Sequence, residues 1–193
     1  MNSEKARTDA QRRAERLNQQ PLVVWFTGLS GAGKSTIAAA LEERLAGEGF
    51  HTFLLDGDRL RTGLNSDLGF DPSSREENIR RAGEVSALMA DAGLIVLAAF
   101  ISPYQKDRER VRQTVGTNRF MEVFLDCPVD VCAERDVKGL YAAARNGRLD
   151  NLTGVQAPYE APVSADLVLS TATLELDDCV KMVVERVLPV VRR

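Results

Sequence analysis

Apolar residues in this chain fall into short dense runs, separated by longer stretches with helical spacing. Five runs have the length and density of strands. They begin near Leu22 (LVVWF), His51 (HTFLL), Leu94 (LIVLAAF), Met121 (MEVFL) and Leu167 (LVLS). Between them, Ile37, Leu41 and Leu45 recur every fourth residue. Val85, Leu88, Met89 and Ala92 mark one face ahead of the third run, and Leu176, Val180, Val183, Val184 and Val187 mark a last helix. Strands that are apolar at nearly every position bury both faces, which is the habit of parallel strands covered by helices. The pattern therefore predicts an α/β fold, with a mostly parallel five-stranded sheet flanked by helices in a single domain.

Two segments stand apart. Residues 1–20 are polar and helix-permissive, with Arg7, Arg12, Arg13 and Arg16, and predict an N-terminal helical arm ahead of a domain spanning 21–193. Residues 137–163 carry Gly139, Gly147, Gly154, Pro158 and Pro162 among scattered charges. So long a loop-rich segment inside a compact domain predicts a lid.

Bulk properties narrow the classes. A chain of 193 residues, 44% hydrophobic and 27% charged, suits one globular domain with a proper core. Its longest apolar stretch, Leu94 to Ile101, falls far short of the roughly 20 residues that span a bilayer. The polar N-terminus has no apolar signal core, so the expected location is cytoplasmic, without a membrane partner. The net charge of −3 argues against a nucleic-acid surface. Cys127, Cys132 and Cys179 form no C-x-x-C pair, and His51 is the single histidine, so neither a disulfide framework nor a zinc site is expected.

The chemistry starts at GLSGAGKST, Gly28 to Thr36. Gly28, Gly33, Lys34 and Ser35 satisfy G-x-x-x-x-G-K-[ST], placed after a strand and before a helix. In that setting the loop winds tightly and turns its N–H groups on phosphate oxygens, helped by the positive helix terminus. Lys34 would reach the β- and γ-phosphates of ATP, and the Ser35 hydroxyl would ligate Mg²⁺. Ser30, Gly31, Ala32 and Thr36 complete the ATP-binding loop. No N-K-x-D guanine-reading motif occurs, and LIVLAAF does not end in the Asp-Glu of motor ATPases. A small-molecule kinase is favoured.

The second strand ends in LLDGDRLR, putting Asp56 and Asp58 at a strand C-terminus, where ligands of open α/β sheets bind. A carboxylate there can orient Mg²⁺ or accept a proton from the attacking hydroxyl. Arg61, Phe70, Arg75, Asn78 and Arg81 follow. Arg75 and Asn78 share a helix face, with Arg81 about a turn further on. Arginines beside an aromatic ring suggest an anionic acceptor with a planar ring.

These segments, together with REENIRRAGEVSALMADAGL, FISPYQKDRE, EVFLDCPVDVCAERDVKGLYAAAR and LTGVQAPYE, run in order from about residue 22 to 162. In them the chain resembles the adenylylsulfate kinases (APS kinases), P-loop enzymes that use MgATP to phosphorylate the 3′-hydroxyl of adenosine 5′-phosphosulfate (APS). The resemblance implies ATP and APS as substrates and Mg²⁺ as cofactor, with PAPS and ADP formed in sulfate activation. It assigns Asp58, Arg61, Phe70, Arg75, Asn78, Ile101 and Ser102 to APS, and Arg135 to the ATP adenine. Lys138 becomes the lid lysine that reaches nucleotide phosphates. Arg81, Leu140 and Leu152 join the acceptor set, with Ser35 and Asp58 on the metal and Lys34, Asp58 and Ser102 as catalytic positions. Ser102 matches a serine described as a phosphoserine intermediate, although in-line transfer needs positioning rather than a protein nucleophile. Family members are commonly homodimers, and association with ATP sulfurylase is left open.

Two departures are visible. The family's lid sequence G-F-T-G reads Asn151-Leu152-Thr153-Gly154 here, preceded by Asp150, and Ala99 stands where a small polar residue is common. Loss of the ring at Leu152 removes aromatic stacking worth roughly 0.5–1.5 kcal/mol. A related kinase with another acceptor, or a nucleotide-binding regulatory paralogue, are the alternatives.

Overall fold

A computed structural model of the chain describes residues 3–193. Residues 1 and 2, and the side chains of residues 3–8, Arg7 among them, lie outside what it describes. In chain order the elements are α1 (Ser3–Arg16), β1 (Leu22–Thr27), α2 (Lys34–Gly47), β2 (Thr52–Asp56), α3 (Gly57–Arg61), α4 (Pro72–Asp91), β3 (Ile95–Ala99), α5 (Gln105–Val115), β4 (Phe120–Asp126), α6 (Val129–Arg135), α7 (Leu140–Arg145), β5 (Leu167–Ser170) and α8 (Leu176–Val191).

The five strands form one sheet in the order β2-β3-β1-β4-β5, and every pairing is parallel. All six residues of central β1 are buried, as a strand covered on both faces must be. Alternation along β1 splits the core in two. Leu22, Val24 and Phe26 enter the cluster packed by α2 and α8, while Val23 and Trp25 enter the one packed by α4 and α5. From β1 the chain first builds β2 and β3 on one side and then β4 and β5 on the other. The loop after β1 therefore sits at the switch point where open α/β sheets bind ligands.

Helix faces follow the predicted periodicity in α2 and in most of α8, where Leu176 at the first turn is exposed and Val180 half-buried. Ile37, Leu41 and Leu45 of α2 are buried, as are Val183, Val184 and Val187 of α8. In α4 the face is rotated: Leu88 is exposed, and Ile79, Ala82, Gly83, Ser86 and Ala90 face inward. The cause is close approach to α5. A Cβ on Gly83 would lie 2.8 Å from Val111 Cγ2, so the contact is made by small residues rather than by the larger apolar ones.

The N-terminal arm is tied to the domain through Gln19, fully buried. Its amide donates to the carbonyls of His51 (3.0 Å) and Gly93 (2.8 Å) and accepts from the His51 N–H (2.8 Å). The segment 137–163 holds α7 and a tight loop in which the carbonyl of Leu152 accepts from Gln156 (2.9 Å) and Ala157 (3.1 Å). Its last part is fixed to the turn between β3 and α5: the Glu160 N–H donates to the Pro103 carbonyl at 2.8 Å. No helix is long and apolar enough to cross a membrane among the described residues.

Candidate active site

The loop between β1 and α2 is held by its own geometry. Gly31 (φ 80°) presses so closely on α6 that a Cβ would sit 2.9 Å from the Cys132 carbonyl oxygen, and Gly33 (φ 99°) starts α2 from the left-handed region with open space on its free side. Both positions require glycine. Neighbours brace the loop: the Tyr141 hydroxyl donates to the Ser30 carbonyl (2.9 Å) and Thr171 Oγ1 to that of Ala32 (2.9 Å). Ala32 is fully buried, and Thr36 is exposed in the first turn of α2.

Lys34 folds back over the loop, donating to the carbonyls of Gly28 (2.9 Å) and Leu29 (2.7 Å). Burial, and then the positive charge of Lys138, lower its pKa to about 8. The nearby carboxylates of Asp58 and Asp56 offset this only in part, and the direct partners of the ammonium are neutral carbonyls, which leaves it suited to gain an anion.

Ser35 donates to Asp56 Oδ2 at 2.5 Å, while Asp56 Oδ1 caps α3 by accepting from the Asp58 N–H at 2.8 Å. The carboxylate facing the loop serine is thus Asp56, whereas Asp58 forms an ion pair with Lys138 from the segment 137–163. The D-G-D spacing explains the division of labour: a cap at the first aspartate turns the second out of the strand's path, to where Lys138 reaches it.

Across this carboxylate pair lies a basic patch. Arg61 donates to the carbonyls of Leu68 (3.2 Å) and Gly69 (3.0 Å), and its guanidinium lies 4.3 Å from the centre of the Phe70 ring. Arg75 donates to the Phe70 carbonyl (2.8 Å), to the Asn151 carbonyl and to Thr153 Oγ1. Partial burial, together with the nearby charge of Arg75, lowers the pKa of Arg61. Two guanidiniums that repel each other beside an exposed aromatic ring, with neutral carbonyls and a hydroxyl as their partners, have the chemistry to take up an anion. Asn78 is buried and accepts from Asn65 Nδ2 at 2.9 Å, which leaves its own amide N–H₂ free to donate. Arg81 is engaged elsewhere. It grips Asp67 through two nitrogens (2.7 and 2.9 Å) and also Glu77 (2.8 Å), anchoring the loop before α4.

Ile101 and Ser102 follow β3. Ser102, at φ 41°, is buried in a hydroxyl chain that closes without a spare proton. Trp25 Nε1 donates to Ser102 Oγ (3.1 Å), which donates to Thr27 Oγ1 (2.9 Å), which donates to the Ile101 carbonyl (2.8 Å). The Tyr159 hydroxyl, 2.9 Å from Thr27 Oγ1, must then be the donor of that pair. Arg135 spans Thr171 O (2.6 Å) and Gly31 O (3.3 Å), so it borders the phosphate loop. Leu140, half-buried, begins α7. Leu152 is 5% exposed and belongs to the α2–α8 side of the core, not to the open face beside Phe70. An open cavity of 500 Å³ lies between Leu29 and residues 154–159, within the range of small-ligand sites.

Asp56 was placed by the sequence beside Asp58 but given no role of its own, and Thr27, Tyr159 and Tyr141 of the candidate site were passed over. Only Asp56 had a signal, in the D-G-D doublet. The others act through contacts between segments distant in the chain.

A parallel sheet with a phosphate loop at its switch point, a lysine, a serine–carboxylate pair and a facing basic patch define a P-loop kinase. The sequence profile of the adenylylsulphate kinase family matches residues 20–170. An adenylyl-sulfate kinase of Aeromonas hydrophila is 60% identical over 164 residues, which is 85% of this chain and 83% of that one. The solved structure of the Mycobacterium tuberculosis APS kinase in complex with AMPPNP and APS superposes with a TM-score of 0.84 at 42% identity, covering 88% of this chain and 98% of that one. A hexameric APS kinase from Thiobacillus denitrificans gives 0.68 at 31% identity, over 92% of this chain and 31% of that one. The chain belongs to the adenylylsulphate kinase family.

Proposed function

We propose that this chain transfers the γ-phosphate of ATP to the 3′-hydroxyl of APS, giving PAPS and ADP in sulfate activation. The observation that carries the reading is the placement of Asp56 and Asp58 between two phosphate-binding sets: Lys34 and Ser35 on one side, Arg61 and Arg75 on the other. Lys34 leaves its two loop carbonyls for the phosphates of ATP. Arg61 and Arg75 exchange neutral carbonyl partners for the phosphosulfate, Asn78 donates to it, and Phe70 stacks on the adenine. Asp58, released from Lys138, accepts the proton of the attacking hydroxyl, while Lys138 neutralises charge on the transferring group. Arg135 lies along the ATP adenine.

The oxygen donors Ser35 and Asp56 suit Mg²⁺, a hard cation held by few protein oxygens plus phosphates. When bound there it would supply charge neutralisation at the phosphates. Ser102 serves as a positioning residue, because its hydroxyl is sealed in the Trp25–Thr27 chain. Leu140 borders the lid side of the acceptor site, and Arg81 shapes it through Asp67.

The test is ADP release by purified protein with MgATP, with and without APS, and chromatographic identification of the product. APS-dependent ADP release with PAPS supports the reading, and tight ATP binding without APS dependence overturns it. Buried Leu152 beside Asp150 and Asn151 favours a second reading, a kinase for a different anionic alcohol, which the same assay separates by acceptor screening. The expected assembly is a homodimer, and the hexameric relative supports self-association. A cytoplasmic location, and ATP sulfurylase as a separate partner chain, complete the proposal.

A further inference from the structure

Arg108 is a fully engaged guanidinium in the interior, 3% exposed, and none of the roles above uses it. Its Nε donates to Glu122 Oε1 on β4 at 2.7 Å. Its Nη1 donates to the Ser102 carbonyl at 2.8 Å and its Nη2 to the Glu160 carbonyl at 2.8 Å. Those carbonyls belong to the left-handed turn after β3 and to the C-terminal root of the lid segment. The lid root is pinned three times more, by the Glu160 N–H on the Pro103 carbonyl (2.8 Å), by the Glu160 carboxylate on the Gln105 N–H (2.7 Å) and by the Tyr159 hydroxyl on Thr27.

A buried arginine need not be arranged this way. Its countercharge Glu122 alone would neutralise it, yet the two remaining arms reach two backbone segments 58 residues apart in sequence (102 and 160). The fork is rigid and planar, so fixing one carbonyl fixes the direction of the other. Ser102 holds a backbone conformation unfavourable for a residue with a Cβ, and such a turn persists only where its surroundings over-determine it.

We propose that Arg108 is a positioning residue that couples the lid's root to the acceptor turn at Ile101–Ser102, so that lid placement and acceptor alignment are set together. The proposal rests on the APS kinase reading for its kinetic consequence, and on the contacts alone for its structural one.

Removing Arg108 singly would strand Glu122 in the core, so the test is the charge-neutral double variant Arg108→Met with Glu122→Gln. Thermal unfolding first establishes that it folds. The KM for APS is expected to rise about tenfold to a hundredfold, the loss of charged hydrogen bonds, with the Kd of ATP in the absence of APS changed by no more than about twofold. Tyr159→Phe, which strands no charge, is expected to move the APS KM in the same direction by about threefold to tenfold. Arg108→Lys is not expected to rescue, since an ammonium cannot span both carbonyls with fixed direction. Equal loss of ATP and APS binding, or a lower Tm with unchanged APS kinetics, overturns the coupling.

Trypsin cleavage at Arg148 supplies a readout that needs no acceptor. The double variant should be cut faster there while cleavage in the N-terminal arm keeps its rate. If the unmodified protein shows no APS turnover, the functional reading fails, and this cleavage decides the coupling by itself: an unchanged rate at Arg148 sinks it.

Discussion

The Ser35 hydroxyl reaches the Asp56 carboxylate at 2.5 Å, although β1 and β2 are separated by β3. Register explains the reach. Phe26 and Asp56 are both level with Ala99 on the intervening strand, and Ala99 places only a methyl group between them. If Ser35 and Asp56 hold Mg²⁺, Asp56→Asn keeps the size and the acceptor for the Asp58 N–H but removes the charge. The expected outcome is a fall in kcat of about 100-fold, the scale for losing one fixed electrostatic contact to the transferring group. The Mg²⁺ concentration for half-maximal rate should rise, with little change in Tm. Initial rates across a Mg²⁺ titration check this, and an unchanged Mg²⁺ dependence would assign the metal to other residues.

Lys34 gives a pH prediction with a definite sign. Its pKa is lowered from 10.5 to about 8 by burial and by Lys138. Between those values the unfolded chain binds more protons than the folded one, so this group makes the nucleotide-free protein more stable as pH rises from about 8 toward 10.5, and contributes no slope below. Bound phosphates favour the ammonium, so ATP binding at pH 8.5–9 must take up a fraction of a proton, and affinity must fall as pH rises through about 8. Calorimetry in two buffers of different ionisation enthalpy measures the uptake, with Lys34→Met as the control. Identical heats in both buffers would contradict the assignment.

The ion pair of Lys138 with Asp58 joins two side chains that are each more than half exposed, 51% and 67%. Exposed pairs contribute little, about 0–1 kcal/mol. Lys138→Ala is therefore expected to leave Tm almost unchanged, while kcat with ATP and APS falls by about tenfold to a thousandfold, as for loss of an electrostatic clamp on the transferring phosphate. The measurement is a Tm beside a steady-state profile. A large drop in Tm with normal kcat would make the pair a structural tie rather than a resting contact.

The strands were legible because the inner ones, β1 and β3, are buried at every position and the edge strands β2 and β5 still keep dense apolar runs. All five begin within one residue of the apolar runs that signal them. The phosphate loop was legible because its glycines answer local backbone demands, such as the left-handed φ of 99° at Gly33 where α2 begins. The inner face of α4 was not. Close packing on Val111 selects Ala82, Gly83 and Ser86, and hydropathy spacing favours Leu88, which points outward. Leu152 shows the same limit. The sequence places it in the acceptor's lid but not on which side its side chain is buried, and the structure puts it in the core. Thr27, Tyr159 and Arg108 left no mark in sequence because each acts on a partner more than 50 residues away.

Ser102 separates two mechanisms. A phosphoserine intermediate needs the hydroxyl to meet the γ-phosphate, yet Ser102 is only 1% exposed and its Oγ is bonded to both Trp25 and Thr27. Breaking out would leave the buried Trp25 N–H without an acceptor, at a cost of about 1–3 kcal/mol. In direct transfer between the two nucleotides the serine only holds the turn. Ser102→Ala should then lose stability by about 1–3 kcal/mol, and Tm by about 2–10 °C, while retaining measurable kcat. Incubation of the unmodified protein with γ-labelled ATP and no APS should leave no label on the polypeptide. Label retained at Ser102, discharged on adding APS and abolished in Ser102→Ala along with all turnover, would establish the covalent route instead.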